Sequence, residues 1–181
     1  MNGRIANSPG GPPEARAVPV AARPICEPAT FRKVLGNVPT SVSIVTGDDG
    51  EGHFGIVIGS LVSISLQPPL VGFFIDNRSR TLPRVLACRR LCINILSAEQ
   101  ARFCRDFSVN QSDRFSCGNW RQEEGEAPLL DQALAWISGR LERSIEIGDH
   151  HLIVIEPDAL AENPARAASD PLVFFRGAFA S

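Results

Sequence analysis

The fold is decided by residues 137–156, which read ISGRLERSIEIGDHHLIVIE. Over residues 137–147 apolar and polar side chains alternate, which is the period of a β-strand with one buried face. The alternation assigns these residues to two faces: Ile137, Gly139, Leu141, Ile145 and Ile147 to one, and Ser138, Arg140, Glu142, Ser144 and Glu146 to the other. Gly148 and Asp149 then form a turn, and residues 151–155 form an apolar strand. The pattern predicts a long half-exposed strand followed at once by a second strand.

The rest of the chain continues this pattern of short strands. Further strands are predicted at residues 41–46, 53–60, 61–66, 70–75, 91–96 and 172–175, and short helices at residues 30–35, 80–87 and 98–107. Strands and helices do not alternate regularly, as they would around a parallel sheet. The sequence therefore predicts a mainly β, antiparallel barrel with a few short helices. Residues 108–128 are polar and too long for a simple connection, which indicates a functional lid or a partly mobile segment.

Length and composition predict one folded domain with an N-terminal tail. The chain has 181 residues, of which 44% are hydrophobic and 21% charged, and these are globular values. Residues 1–28 contain six of the fourteen prolines and show no apolar period. Such a segment buries too little apolar surface to offset the entropy of folding. We therefore expect a disordered Pro/Gly/Ala-rich tail over residues 1–28 and a folded domain over residues 29–181.

Charge, hydropathy and cysteine content exclude several classes of function. The net charge of −2 disfavours nucleic-acid binding, because no general basic field attracts phosphates. No apolar run approaches the roughly 18 residues that span a bilayer, and the N-terminus lacks a basic stretch followed by an apolar one. The five cysteines are odd in number, contain no Cys-x-x-Cys spacing and predict free thiols in a reducing compartment, with no metal site. We expect a cytoplasmic protein that binds neither nucleic acid nor membrane.

One glycine motif is misleading. Residues 50–55, GEGHFG, match the G-x-G-x-x-G pattern of dinucleotide-binding folds. In those folds the motif follows a strand and opens a helix whose N-terminus faces the pyrophosphate. Here it follows a turn and leads into the strand-like run at residues 56–58. The sequence favours a glycine-rich hairpin turn over a Rossmann site.

Seven short stretches, taken in order, carry a resemblance to a known family. They are FRKVLGNVPTSVSIVT (31–46), HFGIVIGSLVSISLQPPLV (53–71), NRSRTL (77–82), CINILS (92–97), PLLDQALAWISGRLE (128–142), GDHHLIVIE (148–156) and PLVFFRGAF (171–179). This set resembles the short-chain NAD(P)H:flavin oxidoreductases, the reductase components of two-component flavin-dependent monooxygenases. The resemblance implies a split β-barrel of the flavin-reductase type and a homodimer with both subunits near the site. It also implies reduction of FAD or FMN by NADH, with NADPH as the alternative, and release of the reduced flavin to a partner monooxygenase.

The resemblance also assigns site residues. It places the flavin segment on Val57, Ile58, Gly59, Ser60, Leu61, Ser63 and Ile64. It places the phosphate-binding turn and the following helix on Arg78, Ser79, Arg80 and Arg84, and an aromatic residue near the flavin on Phe107. The chain departs from the family at two of these positions, because Val57 stands where relatives have threonine and Gly59 where they have asparagine. Flavin contacts there depend on the backbone.

The nicotinamide side of the site falls near the end of the chain. The resemblance assigns catalysis to His150, a turn histidine able to donate to the carboxamide, with Asp149 as its orienting partner. It assigns a dinucleotide contact to Gly177, Ala178 and Phe179. Two alternatives stay open: a non-catalytic flavin- or haem-binding module on the same barrel, and a structural barrel whose flavin site has decayed. The preferences between FAD and FMN and between NADH and NADPH are also open.

Overall fold

A computed structural model describes residues 26–110 and 113–180. Most of the predicted tail, residues 1–25, lies outside the described residues, and Pro28 already begins the first helix. The helices are α1 (Pro28–Leu35), α2 (Leu82–Ala87) and α3 (Ala101–Val109), with short 3-10 turns at Ala98–Gln100, Arg114–Ser116 and Pro164–Arg166. The strands are β1 (Thr40–Ser41), β2 (Ser43–Asp48), β3 (His53–Ile58), β4 (Val62–Leu66), β5 (Pro69–Asp76), β6 (Arg90–Ile95), β7 (Trp120–Arg121), β8 (Leu129–Leu130), β9 (Ala135–Ile147), β10 (His150–Glu162), β11 (Val173–Phe175) and β12 (Ala178–Ala180).

Seven strands form the main sheet in the order β3-β2-β6-β9-β10-β5-β4. Every pairing in it is antiparallel. A small sheet, β1-β11-β12, joins the C-terminal hairpin to β1, which follows α1, and β7 pairs with β8. The prediction of a mainly β protein with a few short helices is confirmed. None of the described helices is long and apolar enough to cross a membrane.

The inner face of the main sheet encloses one core. Its buried side chains include Ile58 of β3, the first strand of the order, and Phe73 of β5, the sixth. Central strands add Val45, Ile93 and Ile153, which are all fully buried. Because the first and the sixth strands of the order share this core, the sheet is strongly curved.

The outer face is covered over half of its extent. There α3 and residues 117–133 pack on β2, β6 and the first half of β9, around Phe107 and Trp136. Two buried hydrogen bonds attach residues 128–130 to the sheet. The Asn94 side chain accepts a hydrogen bond from the Leu130 amide at 2.7 Å, and the Thr46 hydroxyl donates to the Pro128 carbonyl at 2.5 Å. The end of the 108–128 segment, at Ala127 and Pro128, is thus packed against the sheet, whereas residues 121–125 are exposed.

A β-bulge corrects one prediction about β9. Leu141 pairs with Ile155, whereas Arg143 pairs with Val154, so the register shifts by one residue between them. Opposed residues in an antiparallel pair point to the same side. Leu141 therefore faces the inner core with Ile155, but Ile145, opposite Leu152, faces outward. The expectation that Leu141, Ile145 and Ile147 share a face was wrong, because the bulge inverts the alternation after Leu141.

The glycine motif at residues 50–55 lies in the turn between β2 and β3 and runs into β3. Gly50 and Gly52 have φ values of 90° and 129°, a backbone region that side chains rarely adopt. The glycines serve the hairpin turn, so the interpretation as a turn is confirmed.

Candidate functional site

The predicted flavin segment spans the end of β3, the connection to β4, and β4 itself. Ile58 is buried in the inner core. Val57 packs on the buried cluster around Phe107 and Trp136, called the outer cluster below, so both side chains point away from solvent. Residues 59–61 connect the two strands. The Ser60 hydroxyl accepts a hydrogen bond from the Phe74 amide at 2.9 Å, which attaches this connection to β5. Ser63 and Ile64 follow on β4 as exposed residues.

The predicted phosphate turn follows directly from the end of β5. Arg78 forms a two-pronged ion pair with Asp76, with nitrogen-oxygen distances of 2.8 and 3.1 Å. This pair and the Arg78 amide lower the pKa of the Asp76 carboxyl well below its usual range. The Ser79 hydroxyl accepts from the Thr81 amide at 3.2 Å, and α2 begins at Leu82. The turn is therefore held by its own side chains.

His150 lies at the start of β10, opposite Asp76 of β5. Its Nδ1 lies 2.7 Å from the Asp149 carboxylate, the orienting partner that the sequence suggested. The hydrogen bond to His150 lowers the pKa of Asp149. His151 Nδ1 lies 2.8 Å from Asn77 Oδ1, so the phosphate turn and the β9–β10 turn are tied together.

The end of β5 thus joins two parts of the predicted site. Ser60 contacts β5 at Phe74, and His150 pairs with Asp76 two residues further on. Two residues of strand span about 7 Å. The predicted flavin connection and the predicted catalytic histidine lie on the two edges of the same strand end.

A cleft of about 430 Å³ opens beside the phosphate turn, with walls formed by Ile56, Arg78, Ser79, Arg80, Thr81 and Arg114. Sequence reasoning missed Arg114, because it lies in the polar segment between α3 and Trp120, where no motif marks it. Burial lowers the pKa of its guanidinium. It donates to the Gly55 carbonyl, and its guanidinium carbon lies 5.6 Å from the Phe107 ring centre. The one feature of the sequence that could have indicated Arg114 is its position next to Phe115, in a segment too long for a simple connection.

Arg84 is engaged elsewhere in this structure. Its guanidinium binds both Asp49 oxygens, at 2.6 and 2.8 Å, and the Gly52 carbonyl at 2.9 Å. The same ion pair lowers the pKa of Asp49 to about 2. Arg84 therefore ties the β2–β3 turn to α2.

Two further predicted contacts lie apart from the phosphate turn. Phe107 is fully buried in the outer cluster, directly beneath Gly55, where an added Cβ would meet its ring at 2.6 Å. Gly177, with φ of 83°, forms the turn between β11 and β12, and Ala178 begins β12. Phe179 is half-buried against Phe174, with ring centres 5.7 Å apart.

The small sheet borders the flavin segment through β1. Thr40 pairs with Phe174 of β11, and its Oγ1 would lie 3.0 Å from a Cβ added to Gly59. Gly59 therefore lets β1 approach the β3–β4 connection closely.

A larger cleft, about 810 Å³, lies on another side of the molecule, beside Arg90 and Glu126. There Arg90 is held by Glu126 at 2.8 Å and by Asp158 at 2.8 and 2.9 Å. Its charge is neutralised within the protein. Although this cleft is larger, we do not assign it as the functional site, because the Arg90 guanidinium in its wall is already paired with Glu126 and Asp158.

Fold and site together define a class of protein. An antiparallel β protein that places arginines and a hydroxyl-bearing turn beside a cleft has the features of a binder of anionic ligands. The comparisons with known proteins narrow this class. The family described as "Flavin reductase like domain" matches residues 35–181. The chain belongs to this flavin reductase-like family.

Three similar proteins illustrate the relationship. A flavin reductase of Pseudomonas putida is 34% identical over 158 residues, which cover 87% of this chain and 91% of the relative. The reductase subunit HsaB of a flavin-dependent monooxygenase of Mycobacterium tuberculosis is 32% identical, covering 83% of this chain and 80% of that protein. The NADH:FAD oxidoreductase SgcE6 of Streptomyces globisporus, solved with NAD and FAD fragments, is 30% identical with a TM-score of 0.77, covering 84% of this chain and 91% of that chain.

Proposed function

We propose that this protein is an NADH-dependent flavin reductase. It reduces free FAD or FMN by hydride transfer and releases the reduced flavin to a partner monooxygenase, and NADPH is the alternative nicotinamide. The observation that carries this proposal is the meeting of the flavin connection, the phosphate turn and His150 at the end of β5. Membership of the family and the named functions of its relatives support the same reaction.

The residues around this strand end fit a flavin and a nicotinamide. The coenzymes supply the hydride chemistry, which requires two rings in face-to-face contact and little acid-base assistance. Backbone groups of residues 59–61 bind the polar edge of the flavin ring, since Gly59 has no side chain and the Ser60 hydroxyl is engaged by Phe74. Arg78, Ser79 and Arg80 hold the phosphate. His150, oriented by Asp149, donates to the carboxamide of the nicotinamide.

The curvature of the main sheet supports a split β-barrel. The edge strands β3 and β4 stand at opposite ends of the strand order, and residues of β3 and β5 share the inner core. A curved antiparallel sheet with a shared interior is a barrel whose closing ladder is missing. We take residues 29–181 as this domain.

The open half of the outer face supports a homodimer. Val62, Ile64, Phe74, Ile145 and Ile147 are all 37% to 50% exposed and lie on β4, β5 and β9. A contiguous apolar surface of this kind marks an interaction site. A second copy of the chain is the occupant, because the surface continues to His150 through its pairing with Ile147. Dimerisation would place both subunits beside the nicotinamide, as the resemblance implies.

Nicotinamide oxidation by the purified protein tests the reaction. We expect NADH to be oxidised rapidly when FAD or FMN is added and to remain stable without flavin. Failure to turn over with either flavin and either nicotinamide would overturn the proposal. Colour that stays bound through purification without any nicotinamide oxidation would indicate a flavin- or haem-binding module instead.

A His150→Ala variant tests the catalytic assignment. It should lose NADH-dependent rate while its flavin affinity, measured by quenching of flavin fluorescence, stays at the wild-type value. The reason is that His150 faces the nicotinamide side, whereas the flavin is held by residues 59–61 and the phosphate turn. Unchanged turnover in this variant would refute the role of His150.

A further inference from the structure

The 430 Å³ cleft beside the phosphate turn, called the phosphate cleft below, adjoins another cleft, called the second cleft below. The second cleft has a volume of about 380 Å³, and it shares Arg80, Thr81 and Arg114 with the phosphate cleft. Beyond these shared residues its walls are formed by His53, Phe54, Gly55, Arg84 and Phe115. The phosphate cleft is a turn-lined anion site, whereas the second cleft has aromatic walls.

Strand β3 shows the order in which a ligand would meet these features. The flavin segment begins at Val57, Ile56 lines the phosphate cleft, and His53 to Gly55 line the second cleft. A strand rises about 3.3 Å per residue, so His53 lies about 13 Å along the strand from Val57. A flavin whose ring lies at residues 59–61 and whose first phosphate lies in the cleft at Ile56 has the second cleft beyond that phosphate. FMN ends at that phosphate, whereas FAD continues through a second phosphate to an adenosine.

Two arginines between the clefts are available for a pyrophosphate. Arg78 and Arg84 are paired with Asp76 and Asp49. Across residues 26–110 and 113–180, no carboxylate forms an ion pair with Arg80 or Arg114. In the same part of the chain, Arg114 Nε is buried without a hydrogen-bond partner. A partly buried guanidinium without a counter-charge is costly, so an anion at this point is favourable.

The aromatic walls of the second cleft suit a flat base. The rings of His53 and Phe115 lie 5.3 Å apart at an angle of 63°, so they form a corner. His53 is oriented by Asp48, with Nε2 3.3 Å from the carboxylate, and its side chain is 40% exposed. Phe115 is supported by Trp120, with ring centres 4.8 Å apart. A base stacked on one ring would meet the second ring at its edge.

We propose that the second cleft is an adenylate subsite, in which His53 and Phe115 hold the adenine and Arg80 and Arg114 bind the pyrophosphate, so that the protein selects FAD over FMN. This inference rests on the proposed flavin reductase function and deepens it. Residues 59–61 at the flavin ring and Arg78 and Ser79 at the first phosphate serve both flavins equally, whereas Arg80 and Arg114 also reach the second phosphate. Selection depends on the second cleft alone.

Equilibrium binding of FAD and FMN without nicotinamide tests this subsite. Flavin fluorescence quenching should give a Kd for FAD about tenfold lower than for FMN, the effect expected of one stacked base. His53→Ala should raise the Kd for FAD about tenfold and leave the Kd for FMN unchanged. His53→Phe should keep the FAD preference, because it retains a stacking face while losing the contact with Asp48. That comparison separates stacking from a structural role of the histidine.

Charge variants test the pyrophosphate contact. Arg114→Gln should weaken FAD more than FMN, whereas Arg102→Gln, on the exposed face of α3 with a 93% exposed side chain, should change neither. A melting temperature for each variant establishes that the fold is retained.

Three outcomes would overturn the subsite. Equal affinity of the wild type for FAD and FMN would do so, as would equal weakening of both flavins by His53→Ala. A His53→Ala variant that instead raises the KM for NADH, with both flavin affinities unchanged, would assign the cleft to the adenosine of the nicotinamide coenzyme. Each of these leaves flavin reduction intact, whereas absence of turnover with either flavin would refute the proposed function itself.

Discussion

The two halves of the outer face of the main sheet carry similar apolar side chains, but other parts of the chain cover one half and leave the other exposed. Over β2, β6 and the first half of β9, the chain covers its own sheet, and Phe107 and Trp136 are 0% and 7% exposed. Over β4, β5 and the second half of β9, comparable residues such as Phe74 and Ile145 remain 37% and 43% exposed. Every residue of helix α1 is exposed as well, like the apolar residues of the uncovered half of the sheet. The difference is the basis for the proposal that the chain completes one half and a second copy completes the other.

A matched pair of phenylalanines gives the largest expected effect. Phe107→Ala should lower the free energy of unfolding by about 3–5 kcal/mol, the usual result of emptying a fully buried aromatic site. Urea denaturation should show this loss at every protein concentration. Phe74→Ala should instead cost stability that depends on concentration, because the proposed homodimer would bury its ring. Concentration-independent losses of similar size at both positions would contradict the distinction between the two halves.

A charge on the open half tests the homodimer. Ile145→Glu should convert a particle of two chains into one of a single chain, because an unpaired carboxylate in an apolar interface is strongly unfavourable. Size-exclusion chromatography with light scattering measures the mass directly. Val109→Glu is the matched control, since Val109 is 77% exposed and lies on α3 in the covered half. A wild type that is already a single chain would refute the homodimer.

The ion pair of the β2–β3 turn gives a smaller, pH-dependent effect. Arg84 lowers the pKa of Asp49 to about 2 in the folded protein. The unfolded value is about 3.9, so the pair stabilises the fold above that pH and loses its contribution as the pH falls towards 2. Asp49→Asn should lower the melting temperature at pH 6, and the difference from wild type should shrink steadily between about pH 5 and pH 2.

The ion pair at the end of β5 is the comparison for that variant. Asp76→Asn should lower the melting temperature less than Asp49→Asn, because the Arg78 side chain is 87% exposed whereas that of Arg84 is 34% exposed. Solvent screens exposed ion pairs. An equal or larger effect of Asp76→Asn would show that the turn after β5 is more important to stability than its exposure indicates.

Much of the local structure could be predicted because it depends on neighbouring residues. The helices near residues 30–35 and 80–87 and most strand positions agree with the structure to within a few residues. The glycine motif at residues 50–55 was correctly assigned to a turn, since its neighbours already form strands. His150 and Asp149 could be paired from their adjacency, and they do contact each other.

Other features depend on distant contacts. The bulge after Leu141 is set by the register against β10, and no feature of the alternation marks it. Arg114 becomes part of the phosphate cleft because the segment after α3 folds back to Gly55. The ion pair between Arg84 and Asp49 joins residues that are 35 positions apart in the sequence.

By itself, the sequence determined an antiparallel β protein and, through ordered short motifs, its resemblance to the flavin reductases. Periodicity and turn residues act over a few positions, so one chain suffices to detect them. Tertiary structure alone decided which arginines are neutralised and which face a cleft, and which apolar strand residues are covered. Charge pairing and burial depend on where separate segments meet in space, and those meetings are set by strand register and packing of the whole chain.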